Sequence, residues 1–143
     1  MFNGGMIMTR KLKWYLGFFI LLDVVGILYS LVYFFYLKEI ETMTFDVTYG
    51  IINTVVALPL VCFSSAALLA LLFLKKEIIR VPESSAKYLL IASIIILLLY
   101  VFICCGTFMG SAFSFLAFRF VTSQPLLFVI PGVLFILGSY KEE

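Results

Sequence analysis

The sequence predicts an all-α integral membrane protein, a single four-transmembrane-helix bundle with short loops and both termini on the cytoplasmic side. Three observations carry that reading. Of the 143 residues, 64% are hydrophobic and 13% charged, whereas a soluble domain is roughly half apolar and about a quarter charged. A small globule leaves much of its surface in water, so this excess needs lipid as its solvent. The apolar residues also gather into four runs, and most basic residues collect on one side of them.

The first run, residues 14–37 from Trp14 to Leu37, stops at Lys38, Glu39 and Glu41. Arg10, Lys11 and Lys13 precede it as they would a secretory signal. The run exceeds a signal core of roughly 7–15 residues and no small-x-small cleavage site follows, so it reads as a retained span. The second span, 47–74, ends at Lys75, Lys76 and Glu77 and contains Pro59, which removes a backbone donor and should bend it. Lys75 to Lys87 is the longest polar connection, and its Ser84 and Ser85 can cap the start of a third span, 87–108. Thr107 to Gln124 is rich in Phe and holds Arg119 as its one charge. Pro125 to Gly138 is too short to cross alone, so the fourth span is expected to begin near Phe118, cover 118–139, and bend at Pro125 and Pro131. Helix is the backbone to expect in each run. An open strand in lipid leaves its amides unpaired, and barrel strands are short alternating segments.

Basic residues set orientation. With four spans, Arg10, Lys11, Lys13, Lys75, Lys76, Arg80, Lys87 and Lys141 all fall on one side, leaving Lys38 and Arg119 on the other. Trp14, Tyr15, Tyr88 and Tyr140 would then line the inner interface, and Tyr33, Tyr36, Phe45 and Tyr49 the outer one. A plasma or inner membrane is the expected location rather than an organelle.

Composition also narrows the function classes. There is no His, which removes the commonest general base and metal ligand. Cys62, Cys104 and Cys105 fit no zinc or redox spacing and read as small apolar packers. No paired carboxylates, nucleophile–base pair or phosphate loop is visible, so neither catalysis, a metal nor a cofactor is expected. A net charge of +2 is too small to suggest nucleic acid. The expected partners are the lipid bilayer and other membrane subunits or further copies of the chain.

Asp23 is the one charge between Trp14 and Leu37. At about 1.5 Å per residue it lies about 13 Å into the layer. Acids there are costly and tend to mark function, and burial favours their neutral form. On a helix Asp23 shares a face with Gly26, Ser30 and Tyr33, a small polar stripe suited to another helix. The candidate hydrogen-bond partners of Asp23 are Ser30, Ser64, Ser65 and Tyr100, and no basic residue lies at the same depth. Either Asp23 titrates as the site of a homo-oligomeric, proton- or cation-coupled small transporter, or it makes a structural hydrogen bond. The stretch Tyr15 to Gly26, with one acid mid-helix and a Gly three residues on, resembles the first helix of small multidrug-resistance transporters. The rest of the chain departs from that pattern, with longer spans and no Trp in the third.

Gly106, Gly110 and Ser114 form a small-xxx-small series at the outer end of span three, and with Gly26 they are candidate helix-packing positions. Asn53 faces the same side of span two as Ala57 and Ser64, and a hydrogen bond within the bundle is expected there. The leading functional expectation is a non-catalytic subunit of a membrane complex, or a self-assembling tetraspan component.

Overall fold

A computed structural model describes residues 10–75 and 82–139. Lys76, Arg80, Tyr140 and Lys141, which entered the orientation argument, lie outside the described residues. The described chain is helical without a strand. Helix α1 (Arg10–Val32) passes through a π-helical turn (Tyr33–Leu37) into α2 (Lys38–Thr44). A short α3 (Thr48–Ile52) leads through a second π turn (Asn53–Ala57) into α4 (Leu58–Lys75). Then come α5 (Glu83–Phe108), α6 (Ala112–Ser123), a 3-10 turn (Pro125–Phe128) and α7 (Val129–Ser139). Three stretches are long and apolar enough to cross a membrane: Leu12–Thr44, Thr48–Leu74 and Ser84–Phe108. Ala112–Ser123 with Pro125–Ser139 makes a fourth candidate, bent by 86°.

The bend expected at Pro125 is present, and it is sharp enough to divide this stretch into two helices. Proline disfavours helical backbone in the residue before it, and Gln124 accordingly adopts φ −127°, ψ 67°. The helix therefore stops at Ser123 and restarts in a new direction. Pro131 does not break α7, because it is the third residue of that helix, where a missing amide matters least.

Helical structure also continues beyond Leu37, through Glu39 and Glu41 to Thr44. Phe45 then takes a left-handed conformation (φ 57°) that turns the chain toward α3. Glu41 closes this corner. It accepts hydrogen bonds from the Tyr33 hydroxyl (3.1 Å) and from the Gly50 amide. Asp46 accepts from the hydroxyl and amide of Thr48, and these bonds, the hydroxyl's foremost, hold its carboxyl below the usual range.

Helix α7 packs against both α4 and α5, while α1 packs along α4. Small residues permit these approaches. A Cβ on Gly132 would lie 2.5 Å from the carbonyl oxygen of Phe63, and one on Gly138 would lie 2.5 Å from the amide nitrogen of Leu90. The core forms where α1, α4 and α7 meet, around Leu12, Phe19, Ala67, Ala70, Leu71 and Ile136. The rings of Phe19, Phe63 and Phe135 pack mutually there, with centroids 6.0–6.2 Å apart.

Pro59 leaves a mark on α4. It has no amide to offer the carbonyl of Val55, four residues earlier. The helix widens over Asn53–Ala57 just before it, and the Tyr100 hydroxyl donates to the Val55 carbonyl at 2.6 Å. A donor from α5 thus replaces the one that α4 lacks.

Candidate functional site

The candidate site lies on the seam between α1 and α4. Asp23 projects from the middle of α1 and is half-buried. Its Oδ1 accepts from the Ser64 and Ser65 hydroxyls, each at 2.9 Å. Ser64 is fully buried, and its Oγ also lies 2.8 Å from the Leu60 carbonyl and 3.2 Å from that of Val61. A hydroxyl has one proton for these three acceptors. Ser64 can therefore turn toward Asp23 or back-bond its own helix, but not both at once. Among the described residues no third group hydrogen-bonds the carboxyl.

Two of the four candidate partners do not reach Asp23. Ser30 donates to Oδ1 of Asn53 at 2.9 Å, one helical stretch further along the same seam. Tyr100 is engaged by Val55, as above. The reason is geometric. Asp23 and Ser30 are seven residues apart on one helix face, too far for side-chain contact, and Tyr100 stands on α5 across α7 from α1. Buried Asn53 serves Ser30 as the expected bond within the bundle.

The packing glycines sort differently from their spacing. Gly26 sits against α4, where an added Cβ would fall 2.6 Å from Val61 Cγ2 and 3.3 Å from the Ala57 carbonyl oxygen. Gly106 faces Ser114, but across the α5–α6 turn rather than along one helix. Gly110 is not a packing position, and a Cβ there would meet nothing within 4 Å. It occupies the left-handed residue (φ 85°) of a Schellman cap, with Ser111 N–H donating to the Gly106 carbonyl and Gly110 N–H to that of Thr107. Ser111 then caps α6 by accepting from the Ser114 amide at 3.4 Å.

Glu41 was missed as more than an outer charge. The signal available was Gly50, nine residues on, with room for the carboxylate. Among the described residues no cluster of His, Cys, Asp or Glu has the geometry to hold a metal ion. Cys62, Cys104 and Cys105 carry free thiols.

No protein-family model, curated protein or solved structure matches the chain. The Asp23 seam must be interpreted from its own chemistry.

Proposed function

We propose that this is a multi-pass membrane protein, inserted with both termini on the cytoplasmic side, that works as a non-catalytic component of a membrane assembly. One observation carries the reading. Asp23 lies mid-helix on an apolar surface, and its own chain covers and bonds it only in part. A half-finished polar site facing hydrocarbon is unfavourable unless another protein surface completes it. Lipid insertion is supported by large exposed apolar side chains such as Trp14, Phe102 and Phe113, and the orientation by the eight-to-two division of basic residues. A plasma or inner membrane fits that division.

The small-residue positions do not supply the assembly surface, because Gly26, Gly106, Gly132 and Gly138 are all filled from within the chain. Purification in gentle detergent or native nanodiscs, followed by mass measurement, is the test. A species heavier than one chain plus lipid is expected. A lone monomer at every protein density would refute the assembly.

A second reading is favoured by the polar pairs that continue along the seam, Ser30 with Asn53 and Tyr33 with Glu41. A homo-oligomer could load a proton or small cation on Asp23 from the Glu41 end. In proteoliposomes Asp23→Asn would then abolish flux while leaving oligomer state intact. Flux equal to that of the native chain would exclude it.

A further inference from the structure

We propose that Asp23 docks a transmembrane helix of a different protein, one carrying a Lys or Arg near the middle of its span. This rests on the assembly reading above and names the partner's chemistry.

Helix α1 turns Phe19 and Gly26 toward α4, and both are buried. Asp23 sits on the flank of that face. Ile20 and Ile27, one turn before and after it, are 49% and 42% exposed. On α4, Phe63 and Ala66 face Gly132 of α7. Ser65, which holds Asp23, is on another side, one turn from Leu69, which is 57% exposed. Asp23 therefore lies at the α1–α4 edge, where Ile20, Ile27 and Leu69 expose apolar surface on the two helices.

Charge selects the occupant. An ionised carboxyl in hydrocarbon is stabilised most by an opposite charge at its own depth. Lys13 and Lys38, the nearest described bases on its helix, stand about 15 Å and about 22 Å away along the axis at 1.5 Å per residue. Lys87 and Arg119 belong to α5 and α6, which do not flank α1. A second copy in the same orientation again brings an acid rather than a base to this depth. The complementary helix must come from another chain.

The full chain, donor-labelled at its N-terminus in lipid vesicles, would be titrated with acceptor-labelled synthetic helices. One probe is a Leu/Ala helix of about 20 residues with a single central Lys; the control has Leu there. Energy transfer should reach half-maximum at roughly tenfold lower density for the Lys helix, equivalent to about 1.4 kcal/mol. Asp23→Leu should abolish the preference. Ile27→Trp should also abolish it by placing a bulky ring on this exposed edge while leaving Asp23 and both serines in place, so a folding defect in Asp23→Leu cannot decide the result. Equal transfer to both helices, or a preference that survives both substitutions, overturns the proposal. If the chain instead pairs only with itself through Asp23, the basic partner is wrong and the assembly reading stands. If it pairs with nothing, both fall.

Discussion

The bond from Tyr100 to Val55 offers the sharpest test of how this bundle holds together. Its meaning depends on Pro59. Because Pro59 cannot donate to the Val55 carbonyl, the Tyr100 hydroxyl does so, at 2.6 Å. Tyr100→Phe keeps the ring, which packs edge-on against Phe128 with centroids 4.6 Å apart, and removes only the donor. A buried carbonyl deprived of its donor costs roughly 1–3 kcal/mol in general. Side-chain hydrogen bonds inside membranes have measured nearer 0.6, with an upper end of about 1.7 kcal/mol. The expected loss is therefore about 1–2 kcal/mol. Pro59→Ala restores an amide four residues from Val55, and in that background Tyr100→Phe should cost below about 0.5 kcal/mol. Reversible unfolding of the native chain, the two single variants and the double variant in mixed lipid–SDS micelles, followed by circular dichroism, measures all four stabilities. The coupling energy should be about 1 kcal/mol. Tyr100→Phe costing the same with and without Pro59 would show that the hydroxyl does not stand in for the lost amide.

Three further outcomes are expected. Gly132→Ala should destabilise by about 1–3 kcal/mol, because its Cβ would press on the Phe63 backbone 2.5 Å away, whereas Gly17→Ala, with nothing within 4 Å, should be neutral or stabilise by up to about 1 kcal/mol; the same unfolding assay separates them. Glu41→Ala strips the Gly50 amide of its acceptor and should speed hydrogen exchange there about tenfold or more, and an unchanged rate would remove Glu41 from the corner. Asp46 is held below the ordinary carboxylate value by Thr48, so its contribution is complete above that ordinary value and is lost as pH falls through the lowered one. The Thr48 amide NMR shift should titrate with a midpoint lower than that of an unbonded Asp, and Asp46→Asn should abolish the titration.

Some of this structure was legible in the sequence because the relevant signal is local. The apolar runs mark the helices wherever they are long, and Pro125 announces a boundary because its ring acts on the neighbouring residue. The mid-helix position of Asp23 follows from counting. Partner choice is not local. Ser64, Ser65 and Tyr100 all stand well inside their apolar runs, and only the arrangement of α1 beside α4, with α5 beyond α7, gives the serines to Asp23 and the tyrosine to Val55.

Gly106, Gly110 and Ser114 show the same limit in another form. Spacing of four means one helix face only while the helix continues, and here it ends at Phe108. Glycine in a packing ridge and glycine in a left-handed cap are the same letter, and Ser111 after it distinguishes them only in retrospect, as the cap of α6. The exposed flank around Asp23 was illegible for a related reason. Periodicity identifies a polar face, but whether the chain covers that face depends on how far α1 rotates against α4. That rotation follows from Gly26 meeting Ala57 and Val61. The close approach at Gly26 draws one side of α1 onto α4 and leaves Asp23 at the edge of the contact, so the residue that lets the two helices meet also leaves the acid accessible to a third.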